Sequence, residues 1–199
     1  MTTNAALENI YARRSVRAYA DQLVSEEMIN EILKAGTFAP TGMNRQPLRF
    51  AIVTNRELML RWSDLCKAWN VNFFKQQQVG ADPTKAEALG RYIRMLSEPS
   101  NNIFHAAPLL VLVYAAPGPG TPMEDACLAA ENMMLAARAM GLGSCWIGFA
   151  KPIPMIPEIS TKIGAPADLQ LVAPLVFGHP KGEFPKGARK EPVVLNRLD

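Results

Sequence analysis

Apolar residues recur along this chain in helical and strand-like patterns that alternate from one end to the other. Between residues 3 and 12, Ala6, Leu7, Ile10 and Tyr11 share one helical face, which predicts a helix with Thr2 or Thr3 as its N-cap. Ser25 is a second N-cap, followed by the stripe Met28, Ile29, Ile32 and Leu33, with Gly36 placed as a left-handed stop. Arg49 to Thr54 reads as a short strand, and Asn55 caps a helix to about Ala68. The stretch from Asn70 to Ser100 is amphipathic and is broken at Gly80-Ala81-Asp82-Pro83. Leu109 to Ala115 is continuously apolar, the pattern of a central strand covered on both faces. Pro122 to Met140 is the longest predicted helix and is apolar nearly all round, so it is expected to be buried. A strand over Ser144 to Gly148, a short helix over Pro157 to Ile163 ended by Gly164, and a strand over Gln170 to Gly178 complete the pattern. Strands separated by helices and long connections predict an α+β layered sandwich, with a few-stranded sheet covered by helices on both faces.

From His179 onward the periodicity stops. About twenty residues with three prolines cannot form a core alone, so this tail is expected to lie on a second subunit of a homodimer. The 199 residues, 49% hydrophobic and 20% charged, fit one globular domain spanning 1–199. A net charge of +3 with no Lys/Arg stripe along any helix gives no reason to invoke nucleic acid. Cys66, Cys127 and Cys145 lack metal-ligand spacing and suit a reducing compartment, and two histidines are too few for an ordinary zinc site. The longest apolar run, Ala106 to Ala116, is too short to span a bilayer, and no signal segment opens the chain. The expected protein is soluble and cytoplasmic, with no membrane partner.

Against this ordinary background, Arg13, Arg14, Ser15 and Arg17 place three permanent cations and a hydroxyl within five residues. Guanidinium groups match phosphate oxygens two at a time, and their mutual repulsion is relieved by an anion among them, so a bound phosphate is inferred. The competing explanation is a solvated basic end complementing the helix dipole. A second unusual stretch, Phe38 to Pro47, is bounded by prolines and rich in Thr, Asn and Gln, the composition of a functional loop. Its Asn44 and Gln46 could equally satisfy their own turn.

Other apparent signals dissolve in context. Gly141-Leu142-Gly143 with Gly148 follows a helix and precedes a strand, the reverse of a dinucleotide-binding loop, so Gly141 is expected to be a helix stop. Pro117-Gly118-Pro119-Gly120 lacks the Lys and hydroxyl of a P-loop. Cys145 lies in an apolar strand, and neither histidine adjoins a nucleophile. Trp146 reads as core, and Met133 and Met134 as helix packing. Any chemistry therefore belongs to a cofactor.

Taken together, RRSVR at 13–17, APTGMNRQPLRF at 39–50, GLGSCWIG at 141–148 and FGHPKGEFPKGARKEP at 177–192 resemble the nitroreductase family of FMN-dependent oxidoreductases. The resemblance covers essentially the whole chain and is weakest from about 60 to 105. It implies a three-layer α/β/α sandwich with a central mixed or antiparallel sheet and a tail packed on the partner subunit. It further implies FMN at the subunit interface, with Arg13, Arg14 and Ser15 on the phosphate and ribityl oxygens and Arg17 at the N1/O2 edge of the ring. Pro40, Thr41, Gly42 and Asn44 would come from the partner to cover the ring edge, with Gln46 supporting their loop; Gly42 replaces a serine common in the family and offers only backbone. Ile147 and Gly148 would present amides near N5 and O4. Lys186, Arg189 or Lys190 would close the phosphate site, and Asn102 is a further candidate for a ring contact. The implied activity is ping-pong transfer of reducing equivalents from NAD(P)H (NADH or NADPH) to nitroaromatics or quinones, with no protein side chain required as catalytic acid or base. The alternatives are an FMN-storing or redox-sensing protein with little turnover, and a small nucleic-acid-binding domain that uses the same arginines.

Overall fold

A computed structural model describes residues 4–198. Helix α1 (Ala5–Ala12) is capped by Asn4, whose side-chain oxygen accepts from the amides of Ala6 and Leu7 at 3.0 and 3.4 Å. Thr2 and Thr3, the expected caps, lie outside the described residues, and Asn4 takes that part because its carboxamide reaches two of the orphan amides of the first turn. Helix α2 (Glu26–Thr37) begins at Ser25 as expected, with the Ser25 hydroxyl accepting from Met28 N. Gly36 is not its stop. The helix runs through Gly36, where a Cβ would stand 2.9 Å from Met133 Cγ, so this glycine allows α2 to pack closely on the long helix.

Strand β1 (Leu48–Val53) is followed by α3 (Arg56–Gln78) and α4 (Pro83–Ser97). Helix α3 is capped by Asn55 but passes well beyond Ala68. The apolar stripe continues through Val71 and Phe74, and the polar residues that mask it are paired inside the fold. Asn70 Nδ2 donates to the carbonyls of Cys66 (2.7 Å) and Phe149 (2.8 Å), and Lys67 Nζ donates to Asn101 O (2.7 Å). Asp82 caps α4 by accepting from Lys85 N.

The remaining elements are β2 (Leu109–Ala115), α5 (Pro122–Ala139), β3 (Gly143–Trp146), α6 (Pro157–Ile163) and β4 (Gln170–Gly178). The four strands form one antiparallel sheet in the order β1-β2-β4-β3. Strand β2 shows why its sequence does not alternate. Leu110, Leu112 and Tyr114 face a core shared with Trp62, Cys66 and Ile159, whereas Leu109, Val111, Val113 and Ala115 face Ile32, Ala130 and Met133. Burying each large side chain of this kind stabilises the fold by about 1.5–3 kcal/mol. The result is helix, sheet and helix: α2 and α5 cover one face, and α3 and α6 the other.

Helix α5 departs from the expected all-round burial. Ala126, Ala129, Ala130, Met133 and Ala137 are sealed against the sheet and α2, but Leu128 is 48% exposed. The expected strand at Ser144 to Gly148 is narrower, β3 giving way after Trp146 to a tight turn over Gly148–Ala150. Gly141, at φ 78°, ends α5 as anticipated.

Candidate functional site

After α1 the chain turns extended and lies along β3. Ser15 bridges Ser144 in parallel, Val16 N donates to Ser144 O at 2.9 Å, and Tyr19 bridges Pro180. Ala20 N to His179 O (2.8 Å) and Lys181 N to Ala18 O (2.9 Å) fasten the same segment to the start of the tail. Gly143 makes the approach possible, since a Cβ there would fall 2.7 Å from Val16 Cβ and Cγ2. A glycine within a strand commonly marks such a close backbone approach. The Arg-rich segment is thus an extra extended layer on the sheet edge rather than a loose helix end.

The three guanidinium groups are held differently. Arg13 Nε pairs with Glu131 on α5 at 2.9 Å, so one carboxylate already offsets part of the cationic cluster. Arg14 Nη1 donates to the carbonyls of Tyr11 (2.6 Å) and Arg13 (2.7 Å), and Nη2 donates to Gly187 O at 3.4 Å. Arg14 Nε is buried with no hydrogen-bond partner among the described residues, directly beneath Gly187, where a Cβ would come within 2.5 Å of it. The tail therefore crosses Arg14 at Gly187, with Lys186 next to that crossing and Arg189 two residues beyond it in the chain. Lys186, Arg189 and Lys190 are exposed. Phe184 anchors the crossing, with Arg138 Cζ 4.1 Å from its ring centroid.

Arg17 lines a cavity of about 410 Å³ at the end of β3. Its apolar walls include Phe74, Met95, Ile103, Trp146 and Phe149, and Asn70, Asn101, His105, Cys145, Ile147 and Gly148 complete the lining. No carboxylate is among them. Trp146 borders this cavity at the end of β3, and its half-buried side chain packs against the core on the α2–α5 side, as expected. Behind the walls, Phe74 and Phe149 pack edge to face at 6.4 Å, and Tyr92 meets Phe149 at 5.9 Å. Such pairs stiffen the α3–α4 side of the cavity.

The charges of the Arg-rich segment are felt in the cavity. Burial raises the pKa of the Cys145 thiol, opposed by the Arg17 charge, hydrogen bonds from Ser15 and Arg17, and the Arg13 charge. Burial, and then the Arg17 charge, lower the pKa of His105. Ser15, Arg17, His105 and Cys145 therefore form one electrostatic neighbourhood. Ile147 does not supply the free amide expected of it. Its N–H donates to Pro174 O at 2.8 Å, extending the β3–β4 ladder by one rung, and the donor at this end of the cavity falls to Gly148, which is exposed and whose Cα nothing crowds.

Pro40, Thr41, Gly42, Asn44 and Gln46 do not line the cavity. Their loop sits over the first turn of α5, where Gly42 N donates to the Asp125 carboxylate at 3.2 and 3.3 Å. Gln46 N donates to Thr41 Oγ1 at 3.1 Å, and Gln46 Nε2 to Asn44 Oδ1 at 3.2 Å, so the polar side chains hold the loop's own shape. Met43, Asn44 and Gln46 all have left-handed backbone, at φ 53°, 53° and 52°. Conformations of this kind in non-glycine residues persist where the surroundings impose them, and they cluster at ligand clamps.

Three residues that sequence reasoning passed over matter here. Asp125 is 5% exposed and anchors the loop; in the sequence it is one of two acidic residues in the first turn of α5, where nothing marks it as buried. Asn101 and His105 line the cavity, while the expected Asn102 turns its Oδ1 to Phe104 N at 2.8 Å. His105 gave no signal because no nucleophile adjoins it in sequence.

Comparison with known proteins adds the family. The model of the "Nitroreductase family" matches residues 10–179. An Archaeoglobus fulgidus protein provisionally named NADH dehydrogenase/NAD(P)H nitroreductase is 30% identical over 179 residues, covering 89% of this chain and 86% of its own. The iodotyrosine deiodinase of Thermotoga neapolitana is 27% identical over 190 residues, covering 92% of each chain. A crystal structure of a nitroreductase with bound FMN from Bacteroides fragilis superposes with a TM-score of 0.79 at 27% identity, covering 99% of this chain and all of that one. Matched over most of its length and sharing the α+β sandwich, the chain belongs to the nitroreductase family.

Proposed function

We propose that this chain is an FMN-dependent oxidoreductase that passes reducing equivalents from NAD(P)H to electron-poor acceptors such as nitroaromatics and quinones in a ping-pong cycle. The carrying observation is that Arg17 lines an apolar-walled cavity, on a segment whose Arg14, between Arg13 and Ser15, is crossed by the basic tail. The residues present fit the cofactor. A phosphate dianion calls for fixed guanidinium donors, and Arg14 Nε is a buried donor with no partner among the described residues. A flat ring calls for apolar walls with a polar rim, which Phe74, Ile103 and Phe149 provide together with Arg17, Asn70 and His105. When bound, FMN supplies the hydride-accepting and hydride-donating chemistry.

The chain's own residues then bind, orient and polarise. Arg13, Arg14 and Ser15 would hold the phosphate and ribityl oxygens, with Lys186, Arg189 or Lys190 closing over it from the tail. Arg17 would face the N1/O2 edge, where a fixed cation favours the negative charge gained on reduction. Gly148 N would point at the N5/O4 side. Relatives bear names as different as nitroreductase and iodotyrosine deiodinase, which supports a reading in which the α3–α4 wall, rather than the family, would set the acceptor.

A homodimer completes this site in the same reading, as a single cytoplasmic domain over 1–199 per subunit. The loop Pro40, Thr41, Gly42 and Asn44, supported by Gln46, would cover the partner's cavity, since it does not line its own. Supporting this, α1 buries none of its residues, and Phe38, Met43 and Leu128 are 78%, 81% and 48% exposed. In the tail Val193 and Leu195 are 87% and 99% exposed. Among the described residues no helix is long and apolar enough to cross a membrane. The test is the visible spectrum of the purified protein followed by NAD(P)H oxidation with menadione or a nitroaromatic. Bound flavin with acceptor-dependent turnover and parallel-line kinetics is expected. Bound flavin without turnover would overturn the enzyme in favour of a binding protein, and a colourless protein that takes up no FMN would overturn both.

A further inference from the structure

We propose that His105 is a second hydrogen-bonding residue, beside Arg17, for the polar edge of the flavin ring, held in place by two consecutive left-handed residues. The inference rests on the FMN reading above, and three observations carry it. His105 lines the same cavity as Arg17, within reach of its charge. Its backbone is left-handed (φ 55°), and so is that of Ala106 (φ 53°), although neither residue is glycine. An alanine has no side-chain hydrogen bond to reward that conformation, so the pair is imposed by its surroundings: Ile103, Phe104 and Ala107 on either side are buried, with Phe104 fully sealed. Buried anchors before and after the pair fix the turn, and the turn presents the imidazole to the cavity while the chain enters β2.

The imidazole is suited to this task as a neutral group. Burial and the neighbouring guanidinium both disfavour its protonation, leaving one N–H donor and one acceptor nitrogen. A neutral donor next to Arg17 adds a directed hydrogen bond without a second full charge. Such a bond strengthens as negative charge gathers on the ring edge, so His105 would favour the reduced over the oxidised ring. His105 is thus a positioning and potential-tuning residue; it exchanges no proton with the substrate.

The substitutions follow from the backbone. His105→Gly removes the imidazole and suits a left-handed residue, so the fold is retained. His105→Asn keeps a donor and also tolerates this conformation. FMN affinity of the apoprotein, by fluorescence quenching, should weaken about 2- to 12-fold in His105→Gly, the range of one net hydrogen bond, and recover at least partly in His105→Asn. The midpoint potential of bound FMN should become more negative in the glycine variant. An independent readout comes from imidazole-selective NMR, because the chain has only two histidines. Adding FMN should shift the His105 resonances and leave those of His179 in place. Unchanged His105 resonances at FMN saturation, or wild-type affinity and potential in His105→Gly, would overturn the inference while leaving the FMN reading intact. Failure of the wild-type protein to bind FMN would overturn both.

Discussion

Gly143→Ala tests the seating of the Arg-rich segment on β3. An added Cβ would stand 2.7 Å from Val16 Cβ and Cγ2 and 2.9 Å from Cγ1, whereas ordinary contact begins near 3.4 Å. Val16 has little freedom to yield, being β-branched, 3% exposed and bound through its amide to Ser144 O at 2.9 Å. The segment must therefore lift by about 0.7 Å, enough to stretch that hydrogen bond beyond useful length. Overpacking costs about 1–3 kcal/mol and the lost bond about 1 kcal/mol more, giving about 2–4 kcal/mol in all. For a chain of this size that lowers Tm by roughly 4–16 °C. Because Ser15 and Arg17 ride on the same segment, FMN affinity should fall with it. Differential scanning fluorimetry and FMN titration of Gly143→Ala, Val16→Ala and the double variant measure both effects. Val16→Ala removes the two crowding methyls but keeps the Cβ, so the double variant should be less destabilised than the sum of the single changes and should regain part of the affinity. Wild-type stability and flavin binding in Gly143→Ala, or strict additivity in the double variant, would refute the seating.

Three further outcomes are expected. Asp125→Ala removes the carboxylate that accepts from Gly42 N and from the Thr121 hydroxyl (3.4 Å), at a cost of about 1–3 kcal/mol, or roughly 2–12 °C in Tm; an unchanged Tm would show that the loop does not depend on this anchor. Arg17→Ala should make the bound flavin's midpoint potential more negative by about 30–65 mV, the equivalent of 1.5–3 kcal/mol for two electrons, and spectroelectrochemistry showing no shift would remove Arg17 from the ring edge. The pKa of folded His105 lies below its ordinary 6.5, so the unfolded chain takes up a proton first on acidification. The stability this contributes is complete above pH 6.5 and is lost as pH falls through the folded value, so Tm should drop less steeply in that window for His105→Asn than for the wild type. Parallel Tm-against-pH curves would contradict this.

Much of the fold was legible because its boundaries carry local chemistry. Ser25, Asn55, Gly141 and Gly164 mark helix ends by capping or by positive φ, and the unbroken run in β2 declared burial on both faces before any partner was known. The failures have a common cause in tertiary pairing. Helix α3 looked as though it ended near Ala68 because Lys67 and Asn70 interrupt its apolar stripe, and only the carbonyls of Asn101, Cys66 and Phe149 explain why polar groups sit there. Gly36 resembled a stop because its close neighbour, Met133, is almost a hundred residues away. The Arg cluster is visible in the sequence as a charge anomaly, and the family resemblance separates Arg17 at the ring edge from Arg13, Arg14 and Ser15 on the phosphate, but how the fold holds each guanidinium is not legible there. Arg13 is partly neutralised by Glu131, Arg14 lies beneath the tail and Arg17 reaches the cavity, and that division arises from the docking of residues 15–19 on β3 and the tail. The Ile147 amide, which the family resemblance places free near the ring, is consumed by the β3–β4 ladder. His105 and Asp125 needed the fold, since their partners are remote in sequence or lie in the cavity itself.

The central claim is that Arg13, Arg14 and Ser15 form a phosphate site for FMN. Its most direct test is the ratio of riboflavin to FMN dissociation constants for the apoprotein, measured for the wild type and for Arg14→Ala. The two ligands share the ring and the ribityl chain and differ only in the phosphate. Hydrogen bonds to a charged group contribute about 1.5–3 kcal/mol, so the wild type should prefer FMN by roughly 12- to 140-fold or more, and Arg14→Ala should lose most of that preference while riboflavin binding changes little. Equal affinity for the two ligands, or a preference undiminished in Arg14→Ala, would contradict the account.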